Sequence, residues 1–204
     1  MEKTLEQGSI GDAVLRKEDR KFLLGNGRFV DDIHVAGALY AAFVRSPHAH
    51  ADIQSIDVST ARALPGIVDI LTGADMESDG VGEIPFMWVM NNSDGSPMNQ
   101  PKRWGLARGR VRHVGEPVAV VIGDTAAAAA DAADAVVVGY APRPAVTGSR
   151  AALAPAAPQL HDDAPGNEIC TWGRGDRDAT DAAIAGAAHV IKLELVNNRI
   201  ACAA

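Results

Sequence analysis

Val111-Arg112-His113-Val114-Gly115-Glu116-Pro117-Val118-Ala119-Val120-Val121-Ile122 is the most regular stretch of the chain, and its continuation decides the fold class. Residues 111–114 and 117–122 read as strands on either side of a Gly115-Glu116 turn, because β-branched residues dominate both. Asp124 then stands where its carboxylate can accept from the first amides of a helix and complement their positive end. Residues 125–135 are almost entirely alanine, the best helix former. Such a helix has no apolar stripe, so it gains little per residue from burial but can lie close to a sheet. Val136-Val137-Val138 follow as a strand that ends near Pro142 and Pro144. Strand, helix and strand in this order predict a β–α–β unit with a right-handed crossover.

Toward the N-terminus, Leu39-Tyr40-Ala41-Ala42-Phe43-Val44 suits a strand that stops at Ser46-Pro47, where proline removes a ladder donor. Ile53, Ile56 and Val58 mark a second strand. Ser59 or Thr60 caps a short helix through Leu64, Pro65-Gly66 ends it, and residues 67–71 return as a strand. The expected architecture is α+β: a mixed sheet with strands near 39–45, 53–58, 67–71 and 117–122, and the 125–135 helix against it. Residues 1–35 read as an extended arm with a turn at Gly25-Asn26-Gly27. Residues 73–109, rich in Gly, Pro and Asn, read as a long insertion that needs a neighbouring surface. In isolation it is expected to exchange its amides fast over 75–108, with Trp88 and Trp104 exposed or facing a partner. Beyond 141–166, an Ala- and Pro-rich connection, a helix is expected from about Asp178 to Ala187, capped by Asp176 or Asp178. A strand over 189–202, with an exposed edge, closes the chain.

Composition narrows the function classes. The 204 residues carry 19 basic and 26 acidic side chains, a formal charge of −7, and the longest basic run is Lys102-Arg103. A polyanion partner would want clustered Lys and Arg, so nucleic acid binding is not expected. Cys170 and Cys202 match no metal-ligand spacing and read as reduced, buried thiols. No basic segment precedes an apolar one at the N-terminus, and no apolar run is long enough to span a bilayer. A cytoplasmic location is expected.

Candidate chemistry is sparse. His48-Ala49-His50 would share a face in a strand, yet no third ligand has a convincing spacing; a turn-associated role is favoured. Gly25-Asn26-Gly27 lacks the third glycine and preceding strand of a dinucleotide fingerprint. The Gly115-Glu116-Pro117 turn lies between strands, whereas an anion site wants a helix N-terminus. Arg174-Gly175-Asp176 and Asn91-Asn92-Ser93 resemble adhesion and glycosylation motifs only in short form. The pairs Asp31-Asp32 and Asp162-Asp163 are adjacent and diverge, and Asp131 and Asp134 suit the solvated side of a helix. No Ser or Cys has a histidine in a recognisable activating pattern. No catalytic, cofactor-binding or metal-ligating residue is assigned.

The order of short motifs carries a resemblance. Arg16-Lys17-Glu18-Asp19 and Leu24-Gly25-Asn26-Gly27-Arg28-Phe29-Val30-Asp31-Asp32 are followed by Phe43-Val44-Arg45-Ser46-Pro47-His48-Ala49-His50-Ala51, Pro65-Gly66-Ile67-Val68 and Leu71-Thr72-Gly73-Ala74-Asp75. Val111 to Ala119 comes next, then Tyr140, Pro144-Ala145-Val146, Leu160-His161-Asp162, Pro165-Gly166-Asn167 and Val196-Asn197-Asn198-Arg199. This series resembles the start of the molybdenum-binding large subunit in the xanthine dehydrogenase, aldehyde oxidase and aerobic carbon monoxide dehydrogenase-like family.

The resemblance implies an N-terminal arm at 1–16, an α/β-hammerhead over 17–150 and a connector with a short helix at 151–187. Residues 188–204 would begin a molybdopterin-binding region, truncated here. It also implies a molybdopterin-dependent oxidoreductase with molybdopterin cytosine dinucleotide and molybdenum in the intact subunit. FAD and [2Fe–2S] groups would sit on partner subunits. The catalytic glutamate and the pterin loops of the family would lie beyond position 204. The chain is therefore expected to be a fragment or a split subunit, a scaffold inactive alone. A non-catalytic binding or assembly module with the same fold is the alternative.

Overall fold

The computed structural model describes residue 11 and residues 16–195. In chain order the helices are α1 (Asp19–Leu23), α2 (Ser59–Arg62), α3 (Gly73–Ser78), α4 (Ala126–Asp134), α5 (Ser149–Ala152) and α6 (Arg177–Ala185). The strands are β1 (Tyr40–Arg45), β2 (Ala51–Asp57), β3 (Ile67–Thr72), β4 (Arg110–Val111), β5 (Pro117–Gly123) and β6 (Val137–Pro142). Among the described residues, those up to Val81 and those in Leu106–Pro142 form one compact unit. Gly82–Gly105 and the residues from Arg143 onward form a second.

The first unit holds two three-stranded sheets, ordered β1-β5-β3 and β4-β2-β6. The strands fall where alternation and β-branching place them, but the single β–α–β unit does not form. β5 and β6 flank α4 in sequence and lie in different sheets, and every pairing is antiparallel. β6 pairs instead with β2, setting Val138 opposite Ile56. Both of these side chains border the two apolar clusters of the unit, so this pairing packs them against both. The strand expected at 111–114 shortens to two residues because the chain turns at Gly115, whose φ is +84°.

One cluster gathers Ala61, Ile70, Val121, Ala132 and Val136; the other gathers Ala51, Ala107, Val111 and Val118. α4 lies on β1 and β5 and presents Ala129 and Ala132, both buried. Its cap is Thr125, whose hydroxyl accepts from the Ala128 amide at 3.1 Å, and not Asp124. Position 125 is the last extended residue before the helix, so its side chain and not its neighbour's reaches the third helical amide. α2 begins one residue early, with Asp57 Oδ1 accepting from Ser59 N at 2.9 Å.

Two segments read as irregular contain structure. Within the expected arm, α1 is followed by Gly25 at φ +71°, and Phe22 stacks on Phe29 with centroids 5.6 Å apart. Within the expected insertion, α3 starts in a capping box: Thr72 N and Thr72 Oγ1 donate to Asp75 Oδ2 at 2.7 and 2.6 Å. Gly73 sits so close to the next segment that a Cβ would lie 2.4 Å from the Ala107 carbonyl oxygen.

The part of that insertion in the second unit, Gly82–Gly105, does not lack a surface. Asn99 N donates to Ile169 O at 2.8 Å and Ser93 N to Thr171 O at 2.9 Å. Asn92 Oδ1 accepts from Thr171 N at 2.9 Å. These bonds supply, from residues 169–171 of the same chain, the neighbouring surface that the insertion was expected to need. Arg103 covers the Phe86 ring at 4.5 Å; Trp88 is exposed and Trp104 half-buried. Asn167, left-handed at φ +58°, staples the connector: its amide group donates to Ala152 O and Pro158 O and accepts from Leu160 N. α6 is capped by Asp176, which accepts from Ala179 N at 2.9 Å. Residues 189–195 form no strand, and the remainder of the strand expected at 189–202 lies outside the described residues.

Two outcomes follow from α3. Gly73→Ala must push against backbone, so it lowers stability by about 1–3 kcal/mol, read from urea unfolding. Gly82→Ala, where a Cβ meets nothing within 4 Å, changes it by less than about 0.5 kcal/mol. The Thr72 hydroxyl, then the Thr72 amide, hold the Asp75 carboxyl below its ordinary 3.8, against a small opposing effect of burial. A lowered folded value means stability present above pH 3.8 and lost as pH falls through the lowered one. Asp75→Asn therefore costs stability at neutral pH, and its difference from the parent shrinks below that value in acid titrations of the unfolding midpoint.

Candidate functional site

Two of the quoted motifs meet at a polar joint where β1 ends and β5 begins. Ser46 N donates to Glu116 O at 2.9 Å and Gly115 N to Ser46 O at 2.7 Å. Arg45 Nη1 donates to Gly115 O at 2.9 Å. The Glu116 carboxylate folds back to accept from Arg112 N, with His113 Nδ1 3.5 Å from the same oxygen. Ser46 is buried, and its hydroxyl accepts from His48 N and donates to His48 O, both at 3.0 Å. The His48 ring meets the Tyr140 ring edge-on, centroids 4.9 Å apart. Burial raises the Tyr140 phenol above its ordinary value, with the Ser46 hydroxyl partly opposing. Sequence reading had these segments as separate landmarks; a shared signal existed in that each ends or opens a strand.

The chemistry open to this joint is limited. The Ser46 hydroxyl is engaged by the His48 backbone, not by an imidazole nitrogen, so it is not set up as an activated nucleophile. His48 and the buried His50 lie in the turn between β1 and β2 and not on a strand, which removes the shared face a two-ligand site would use. Among the described residues no group of three or more His, Cys, Asp or Glu could hold a metal ion.

The other candidates separate. Asp131 and Asp134 are exposed on α4. Asp32 Oδ2 accepts from Phe29 N at 2.9 Å, while nothing of the Asp31 side chain is described. Asp163 Oδ2 accepts from Lys102 N at 3.2 Å. Asp176 of Arg174-Gly175-Asp176 caps α6, and Asn92 binds Pro97 O and Ser96 Oγ within its own loop. Cys170, expected buried, is half-buried; Cys202 and Val196-Asn197-Asn198-Arg199 lie outside the described residues.

A cleft of about 790 Å³ in the second unit sets Arg174 and Arg177 against Asp94, Asp176 and Asp181. A pterin dinucleotide brings a pyrophosphate, which wants convergent donors and net positive charge. This lining does not fit that group. No helix among the described residues is long and apolar enough to cross a membrane.

Comparison with known proteins gives a consistent picture. The family described as aldehyde oxidase and xanthine dehydrogenase, a/b hammerhead domain, matches residues 24–144. The carbon monoxide dehydrogenase large chain of Afipia carboxidovorans is 36% identical over 197 residues, covering 91% of this chain and 23% of that protein. The nicotine 6-hydroxylase large subunit of Paenarthrobacter nicotinovorans is 36% identical over 194 residues, 95% of this chain and 23% of that one. A crystal structure of Cu,Mo-CO dehydrogenase superposes with a TM-score of 0.68 at 34% identity, over 88% of this chain and 23% of the other. The chain thus spans 23% of the length of these relatives. A family match over more than half its length, with large subunits alike across nine-tenths of it, establishes that the chain belongs to the aldehyde oxidase and xanthine dehydrogenase family, as a hammerhead domain of molybdenum hydroxylase large subunits.

Proposed function

We propose that the chain is a scaffold for such a large subunit and carries none of its catalytic residues. In this reading residues 17–150 are the hammerhead part, 151–187 the connector and 188–204 the entry to the molybdopterin-binding region. The intact subunit would bind molybdopterin cytosine dinucleotide and molybdenum, which supply hydroxylation of a carbon or oxidation of a small substrate. Partner subunits would carry FAD and [2Fe–2S], and the assembly would be cytoplasmic.

The observation that carries this reading is an uncovered sheet face. α4 covers one side of the β1-β5-β3 sheet. On the other side Phe43, Val120 and Leu71 stand in one cross-strand row, with Ala41, Ile122 and Asp69 in the next, and the Arg45 guanidinium lies 5.4 Å from the Phe43 ring centroid. Phe43 remains 47% exposed and Ala41 exposed, while Val120, Ile122 and Leu71 are half-buried. An exposed apolar row edged by an acidic and a basic side chain is the kind of surface that marks an interaction site. With the limited chemistry of the Ser46–Glu116 joint, it favours a part that supports over a part that reacts.

The purified 204-residue chain is expected to retain no molybdenum, flavin or iron, and to reduce no electron acceptor with aldehyde, purine or carbon monoxide. When co-expressed with the pterin-binding part of a related large subunit, it should co-purify with that part, and Phe43→Asp should release it. Stoichiometric molybdenum or turnover in the isolated chain would overturn the reading, as would association indifferent to Phe43.

A further inference from the structure

We propose that Asn26 is a site of covalent self-modification: its side-chain amide condenses with the Gly27 backbone nitrogen to an imide, which water opens to aspartate and isoaspartate. The site lies outside the scaffold reading and does not depend on it. Helix α1 ends at a left-handed Gly25, φ +71°. Gly25 N donates to Phe22 O and Asn26 N to Lys21 O, both at 3.0 Å, the bond pair that closes a helix on a glycine. The pairing stops there. Asn26 is exposed, and among the described residues neither its side-chain amide nor the Gly27 nitrogen has a hydrogen-bond partner. Position 27 is also held to glycine. A Cβ there would lie 2.9 Å from Phe22 Cδ1 and 3.3 Å from Phe29 Cε2, the two rings that stack on each other. The stack thus keeps a nitrogen free of side-chain bulk beside Asn26.

Every other described asparagine is tied at one or both of the reacting groups. Asn92 Nδ2 donates to Ser96 Oγ and Pro97 O, and the nitrogen after it, Ser93 N, donates to Thr171 O. Asn99 Nδ2 donates to Glu168 O, and Asn167 Nδ2 to Ala152 O and Pro158 O. After Asn91, the Asn92 nitrogen donates to Ser96 O at 2.7 Å. The fold leaves the reaction open at Asn26 and closes it at these. In the first step the Gly27 nitrogen, having given its proton to hydroxide, attacks Asn26 Cγ. The N–Cγ bond forms, the Cγ–Nδ2 bond breaks, and ammonia leaves after taking a proton from water. Water then adds to either imide carbonyl. Cleavage at Cγ gives aspartate, cleavage at the Asn26 carbonyl carbon gives isoaspartate, and nothing is oxidised or reduced. Isoaspartate runs the main chain through Cβ and Cγ. That adds one methylene between Asn26 N, anchored on Lys21 O, and Gly27, which is thereby unseated from the two rings.

The test ages the 204-residue chain at mildly alkaline pH, folded and in parallel in urea, and weighs its tryptic peptides. Cleavage after Lys21 and Arg28 isolates residues 22–28, in which Asn26 is the only asparagine. That peptide should gain one dalton and split into aspartate and isoaspartate forms. Its rate in the folded chain should lie within about threefold of that in urea, because an unprotected site needs no opening. Asn92, Asn99 and Asn167 should react only in urea, and Asn26→Gln should abolish the gain in peptide 22–28. A folded rate about tenfold or more below the unfolded one would overturn the site, since the turn would then guard it. Gain at Asn92 or Asn99 ahead of Asn26 in the folded chain would overturn it too. The isoaspartyl form, separated by chromatography, should exchange its Leu24 and Gly25 amides faster than Asn26→Asp, which carries the same charge on an unaltered backbone. Equal exchange would overturn the unseating of Gly27.

Discussion

The close seating of an alanine helix on a sheet is the contact on which the first unit depends. A Cβ on Gly123 would lie 3.1 Å from the Ala129 amide nitrogen, so strand β5 and helix α4 meet with almost no side chain between them. Alanine offers little apolar area, and the helix is held by what its proximity allows. Ile70 and Val121 become fully buried beneath it, and Ala61 and Val136 close the cluster from either side. Ile56 and Val138 then border this cluster and the one around Val118, which ties the β4-β2-β6 sheet to the same interior. Dispersion is lost steeply with a small gap, so the whole arrangement rests on that short distance.

The motifs that mark the family share a physical character. Leu71-Thr72-Gly73-Ala74-Asp75 is a strand end, a capping box and a glycine pressed against a carbonyl. Ser46-Pro47-His48 and Gly115-Glu116 are the two sides of one joint. Asn167 of Pro165-Gly166-Asn167 satisfies three backbone groups that a connector of this shape would otherwise leave open. Each fixes how one element leaves another. Residues of this kind define a family through its fold.

Strand positions were legible because alternation and β-branching act locally, and the 40–45, 51–57, 67–72 and 117–123 strands show it. Strand partners were not. Pro117–Gly123 and Val137–Pro142 look alike in sequence and are separated by a helix, which invites a parallel pairing. The choice of β2 for β6 is made by burial of Ile56 and Val138, a long-range term no local window contains. Asp124 and Thr125 are both capable caps, and one residue of backbone conformation decides between them. The one local signal for α3, Thr72 followed three residues later by Asp75, is short beside the glycines and prolines downstream, which dominate a local reading of that segment. Of the Ser46–Glu116 joint the members could be named, while their meeting depends on the β1–β5 register.

The tight seating of α4 also limits how the chain can diverge. Ala126, Ala127 and Ala130 face solvent, whereas Ala129 and Ala132 face the sheet. Related chains can replace the first three with almost any helix-forming residue and lose little. At the other two a larger side chain would lift the helix and open the interior. The segment looks uniform when read as letters, yet drift would separate it into a free face and a fixed one, with glycine or serine the only easy visitors at positions 129 and 132.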